Sequence, residues 1–207
     1  MKKVKIDEIL NFFNTQFPDA KCELNYDTPY QLLVAVILSA QCTDKRVNQV
    51  TKELFKLAPT PEKMLELGEQ KLKQVIHSCG FYNNKAKSII SATKSIINDY
   101  NGKVPSTMKE LCSLDGVGRK TANVVLAEAF NVPSIAVDTH VLRVSKRLGL
   151  TNDNTTPEKC EQDLLMLVPL SQQSKFHIQM VWFGRYFCKA LKPECETCKL
   201  KGICKRK

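Results

Sequence analysis

Four cysteines near the end of this 207-residue chain, Cys188, Cys195, Cys198 and Cys204, stand in the spacing C-x6-C-x2-C-x5-C. Thiolates this close repel one another unless a metal centre neutralises them. The group therefore reads as a ligand set rather than as idle thiols, which would be prone to oxidation. Zinc sites usually combine two short-spaced pairs, and only Cys195 and Cys198 form such a pair here. An iron–sulfur cube is larger and suits one compact loop that wraps all four corners. Spacing favours the cluster and leaves zinc open. Lys199, Lys201, Lys205, Arg206 and Lys207 stud the same segment, either as a solvated cationic end or as a loop that faces phosphates.

A second group lies in LDGVGRKTANVVL, residues 114–126. Gly116 and Gly118 flank a single valine, and Arg119 and Lys120 follow at the entrance of a helix with an apolar face. With no Cβ at 116 or 118, the backbone N–H groups there can point outward. At a helix start those groups and the helix dipole favour an anion. The pattern is expected to grip a phosphate; the alternative is a plain turn with a solvated basic rim. A third group is AVDTH, residues 136–140. Asp138 begins a helix there, and aspartate is a preferred N-cap, a sufficient structural reason for it. Its carboxylate could also partner Lys120. The helix N-terminus and Arg119 both disfavour a further positive charge on that lysine. A lysine and an aspartate beside a phosphate grip suggest imine chemistry at a sugar carbon.

The composition narrows the partner. Lysine and arginine number 31 against 21 aspartates and glutamates, a formal charge of +10, which points to a polyanion such as nucleic acid. The N-terminus, MKKVKIDEILNFF, interrupts any apolar core with charges and lacks a small-residue cleavage site, so no secretory signal is expected. The longest apolar run, 32–40, is about half a membrane span. A cytoplasmic protein with reduced thiols is expected. Cys22, Cys42, Cys79, Cys112 and Cys160 are scattered singly and read as small buried side chains.

The elements that must position these groups are helices. Ile6, Ile9, Leu10, Phe13 and Phe17 keep a helical period. Asp27-Thr28-Pro29 opens a helix over 30–40 that is apolar nearly all round, and so is the buried central one. Helices follow over 44–57, from Thr60-Pro61 to near Gly68, over 69–78 up to Gly80, and over 82–100. Ser106 is expected to cap a short helix over 107–113, and the glycine hairpin starts the next. Further helices are expected over 139–148, 157–167 and 171–187, with only 134–137 extended. The fold class is all-α, with about ten helices and no linker visible in composition.

Taken together, LDGVGRKTANVVL, SIAVDTHV, LLVAVILSAQCTDKRVN, GFYNNKA and the four-cysteine tail resemble endonuclease III, a bifunctional DNA glycosylase and lyase of base-excision repair. The resemblance runs through the whole chain in order. It implies two helical domains with a DNA groove between them: a six-helix barrel over 22–132 with its helix–hairpin–helix at 107–130, and an iron–sulfur domain made of 1–21 and 133–207. It implies one 4Fe-4S cluster held by Cys188, Cys195, Cys198 and Cys204. The implied partner is double-stranded DNA containing oxidised pyrimidines or abasic sites, bound by a monomer in the nucleoid. Lys120 matches the nucleophile that attacks C1′ of the sugar, and Asp138 the carboxylate that activates it; β-elimination then cuts the strand 3′ to the lesion. Gly116, Gly118 and Arg119 match the phosphate grip, and Lys199 and Lys201 are expected on the DNA side of the cluster loop. Gln41 matches a glutamine that fills the gap left by the flipped nucleotide. Two positions depart from the family pattern: Phe81 stands where a leucine often wedges, and Phe183 where some members carry histidine. His140 is expected to be structural. The rival on the same fold, a monofunctional adenine glycosylase, generally lacks the lysine and carries a further C-terminal domain. A rival of another class is a non-catalytic, metal-stabilised DNA-binding module.

Overall fold

In the computed structural model, residues 2–206 are described, residues 2–5 by their backbone alone; Met1 and the tail lysine Lys207 lie outside. Ten α-helices and no strand occur among the described residues, as the periodicity requires. The chain divides into two compact units, Glu23–Phe130 and the pair of segments Met1–Cys22 and Asn131–Lys207.

The unit 23–130 holds α2 (Pro29–Ser39), α3 (Asp44–Leu57), α4 (Pro61–Ile76), α5 (Tyr82–Tyr100), α6 (Met108–Ser113) and α7 (Arg119–Phe130). Every residue of α2 from Tyr30 through Leu38 is buried, so this helix forms the unit's centre, and α7 packs along it. Threonine sets most of the starts. Thr28, Thr43, Thr60 and Thr107 each accept a hydrogen bond from a backbone N–H in the first turn of α2, α3, α4 and α6. Each such cap contributes about 1 kcal/mol. The cap of α6 is Thr107 rather than the expected Ser106: Thr107 Oγ1 accepts from the Glu110 N–H at 3.3 Å and donates to Glu110 Oε2 at 2.6 Å. The T-x-x-E spacing outweighs the preceding serine. Within α4 the two helices expected over 61–78 are present, parted at Gly68, whose φ of 75° and ψ of 161° no helix accommodates.

The other unit holds α1 (Lys2–Gln16), α8 (Thr139–Arg147), α9 (Pro157–Leu167), α10 (Gln173–Trp182) and the cysteine loop. Its core is largely aliphatic with an aromatic cluster set in it. The ring of Phe183 lies 5.4 Å from that of Phe13, 5.7 Å from Phe12, 6.1 Å from Phe17 and 5.4 Å from Phe187. Phe183 is 1% exposed, so its departure from the family pattern is a packing change. The single helix expected over 171–187 is three pieces: a 3-10 turn Leu170–Gln172, α10, and a widened turn Phe183–Phe187. The widening goes with close approach to α8, since a Cβ on Gly184 would stand 2.8 Å from the His140 Cβ. Residues 134–137 are non-helical and buried.

The isolated cysteines correct one expectation. Cys79 and Cys160 are buried, but Cys22 and Cys42 are only half-buried and Cys112 is exposed. Cys112 follows the buried Leu111 on a six-residue helix, which leaves it on the solvent side.

Candidate active site and metal centre

The hairpin between α6 and α7 is shaped by contacts on both sides. Val117 and Leu114 are buried, and the Val117 N–H donates to the Leu114 carbonyl at 3.1 Å. Gly116 has φ 78°, and a Cβ there would sit 2.7 Å from the Ser88 Cβ of α5. Only glycine fits both demands. Ser91, one turn further along α5, donates its hydroxyl to the Asp115 carboxylate. Gly118 is different: it has no positive φ, and a Cβ there would meet nothing within 4 Å. The protein leaves that face open. Arg119 begins α7, and Lys120 follows, exposed and in no ion pair among the described residues. The arrangement presents helix-start N–H groups, the Arg119 guanidinium and the Lys120 amine at the surface, which is the equipment for holding a phosphate near a nucleophile.

Besides Asn101, a residue type that tolerates it, two residues of this unit hold left-handed backbone. Gln41, after α2, has φ 52°, and Phe81, before α5, has φ 45°. Left-handed backbone is costly for residues with a Cβ, by about 1–3 kcal/mol, and uncommon outside glycine and asparagine. Both side chains are exposed, Phe81 to 66%. An exposed phenylalanine on a strained turn contributes nothing to the core, so its reason is sought outside the fold.

In the other unit, Asp138 is the N-cap of α8. Its Oδ1 accepts from the backbone N–H groups of His140 and Val141, both at 2.8 Å. Oδ2 takes no hydrogen bond among the described residues, so one oxygen fixes the helix start and the other remains available to accept. Asp138 and Lys120 belong to different units. His140 lies 3.3 Å, through Nδ1, from Arg143 Nη2 and packs on Gly184, a structural placement.

The four loop cysteines line one cavity of about 280 Å³, together with Arg147, Phe183 and Phe187. All four are half-buried and none is in a disulfide. Burial pushes the Cys198 thiol up, the thiols of Cys188, Cys204 and Cys195 push it the same way, and a hydrogen bond at Leu200 opposes them. Among the described residues no three His, Cys, Asp or Glu side chains close on a single metal ion. Four sulfurs around a cavity fit a multi-iron group with cysteine corners better than one tetrahedral zinc.

Sequence reasoning missed the frame around this cavity. Arg147 Nη1 donates to Cys188 Sγ at 3.2 Å and to the Lys189 carbonyl at 2.8 Å, and Arg143 Nη2 donates to the Gly184 carbonyl at 2.8 Å. Their four-residue spacing puts both arginines on one face of α8, and that spacing was the available signal. Of the loop cations, Lys201 is paired with Glu196 at 3.3 Å, while Lys199 is exposed and has no ion pair among the described residues.

Comparison with known proteins gives the family. Residues 34–170 match the family model of the HhH-GPD superfamily base excision DNA repair proteins. Endonuclease III of Bacillus subtilis is 49% identical over 201 residues, 97% of this chain and 92% of that protein. Endonuclease III of Escherichia coli is 43% identical over 207 residues, 100% of this chain and 98% of that protein. Among solved structures, a trapped endonuclease III–DNA covalent intermediate superposes with a TM-score of 0.95 at 47% identity, covering 99% of this chain and 96% of that one. No helix of the described residues is long and apolar enough to cross a membrane. The chain belongs to the endonuclease III family of the HhH-GPD superfamily of base excision DNA repair proteins.

Proposed function

We propose that this chain removes oxidised pyrimidines from double-stranded DNA and then cuts the strand at the abasic site, with Lys120 as the nucleophile whose imine links the two steps. The observation that carries the reading is the exposed Lys120 at the start of α7, next to a hairpin whose Gly116 is sterically obligatory and whose Gly118 is open. The helix-start N–H groups and Arg119 hold a backbone phosphate. The damaged nucleotide leaves the stack at a cost of a few kcal/mol, with Gln41 and Phe81 occupying what it vacates. The Lys120 amine attacks C1′ of the sugar and the base departs. The resulting imine carries the positive charge that makes the proton at C2′ acidic; loss of that proton expels the 3′ phosphate and cleaves the strand. Asp138 accepts the amine proton and stabilises positive charge developing on the sugar. Cys188, Cys195, Cys198 and Cys204 are the ligands of one 4Fe-4S cluster, which braces the loop carrying Lys199 and Lys201. In domain terms, 22–132 is the barrel that carries the hairpin, and 1–21 with 133–207 is the cluster domain. The protein acts as a monomer.

The test is a duplex with one oxidised pyrimidine. Wild type should release the base and cut the strand, whereas Lys120→Gln should still bind the duplex through the hairpin and do neither. Strand cutting by Lys120→Gln at the wild-type rate would overturn the assignment.

A further inference from the structure

Lys85, on α5, is the one buried lysine or arginine among the described residues, at 6% exposed. An ammonium is costly to bury unless its protons find acceptors. Those of Lys85 find two backbone carbonyls, Leu38 at 2.8 Å and Cys79 at 2.9 Å. Both carbonyls lie where the chain leaves a helix. In the last turn of α2 the Ser39 hydroxyl donates to the Val36 carbonyl at 2.8 Å, the Ala40 N–H to Ile37 at 3.4 Å and the Cys42 N–H to Ser39 at 3.1 Å. Lys85 supplies the donor for Leu38, so each of the four carbonyls that a helix end leaves without an intrahelical partner is satisfied. On the other side, Cys79 ends the 3-10 turn His77–Cys79. The backbone N–H of Lys85 donates to the Phe81 carbonyl at 3.1 Å, so this one residue holds the chain on both sides of Gly80.

Gln41 lies three positions past Leu38, and Phe81 two past Cys79. Both are exposed on left-handed backbone, with φ 52° and 45°. Such backbone persists only where its surroundings over-determine it, and the hydrogen bonds of Lys85 stand at both places. We propose that Lys85 is a positioning residue for engagement of the duplex, a buried clamp that ties the turn carrying Gln41 to the turn carrying Phe81 and presents the two side chains together. This rests on the reading of Gln41 and Phe81 as DNA contacts. Fixing both turns before DNA arrives removes an ordering cost from binding. Lysine suits the task, because its apolar stem lies in the core while three N–H donors on a flexible end serve acceptors from separate elements.

The test is a mutant cycle on the cluster-loaded chain, using a duplex with one abasic site and borohydride trapping as the readout. Lys85→Met keeps the stem and loses the ammonium. The protein concentration that half-saturates trapping should rise about tenfold, because two side chains must then be ordered on binding, while the trapping rate at saturation stays close to that of wild type. Gln41→Ala combined with Phe81→Ala should also raise the half-saturating concentration, and adding Lys85→Met to that pair should raise it no further. Lys85→Gln is one bond too short to hold both carbonyls but keeps N–H donors; it should show the same coupling and serves if Lys85→Met does not fold. A full additive loss in the triple variant would overturn Lys85 as the positioning residue. So would a saturated rate that falls as far as the affinity, or wild-type affinity in the Lys85 variants. Unchanged affinity in Gln41→Ala with Phe81→Ala would instead overturn the reading of those two residues as DNA contacts, and the proposal with it, while leaving the chemistry at Lys120 untouched.

Discussion

Asp138 caps α8 with one carboxylate oxygen and is proposed to serve the reaction with its charge, and a single substitution separates the two roles. Oδ1 caps α8 through two backbone N–H groups at 2.8 Å, and Oδ2 is unengaged among the described residues. Asn at this position keeps an oxygen for the cap, where it ranks with aspartate, but removes the negative charge. Asp138→Asn should therefore leave the thermal unfolding midpoint nearly unchanged and slow base release about 10²–10³-fold, the usual effect of losing one electrostatic group from a transition state. A fallen midpoint with normal activity per folded molecule would reduce Asp138 to a cap. The residue scale also shows where types alone mislead. Cysteine is among the most buried residue types, yet Cys112 is exposed and Cys42 half-exposed, because the helix phase of α6 and the turn after α2 decide their placement.

At the scale of elements, the hairpin 114–118 makes its two glycines unequal. Gly116→Ala forces a left-handed alanine, at about 1–3 kcal/mol, and drives its Cβ onto Ser88; chemical denaturation should show that loss. Gly118→Ala meets nothing in the protein, so stability should hold while affinity for a lesion duplex falls, because the added methyl stands where a phosphate approaches the backbone. Equal affinity for wild type and Gly118→Ala would mean that the open face is not the phosphate site. Helix starts were legible because threonine, proline and aspartate declare them locally, as at Thr28-Pro29, Thr156-Pro157 and Asp138. The Ser106 misreading shows the limit: when two hydroxyl residues adjoin, the partner three positions on decides, and Glu110 serves Thr107. The widened turn 183–187 was not legible, since it depends on α8 approaching Gly184. The partners of Arg143 and Arg147 were hidden for the same reason, because they are backbone carbonyls and the Cys188 sulfur more than 40 positions away.

At the scale of the molecule, the net charge of +10 supplies general attraction for DNA, but the chemistry is concentrated in very few groups. Lys120 and the open hairpin belong to one compact unit, and Asp138 and the cysteine cavity to the other. The candidate site was readable in sequence because its residues fall in short contiguous motifs, whereas the left-handed backbone at Gln41 and Phe81 exists only once the chain is folded. Everything proposed for the reaction converges on one bond, between the Lys120 Nζ and C1′ of the damaged nucleotide. An ordinary lysine amine, with a pKa of about 10.4, is protonated near neutral pH, so the bond forms only where the site supplies the neutral amine. The most direct measurement is reduction with sodium borohydride during reaction with a duplex carrying one oxidised pyrimidine, followed by digestion and mass spectrometry of the adduct. Wild type should yield a protein–DNA adduct at Lys120 and Lys120→Ala none, whereas an adduct that persists in Lys120→Ala, or base release by wild type with no adduct at all, would contradict a lysine imine at this site.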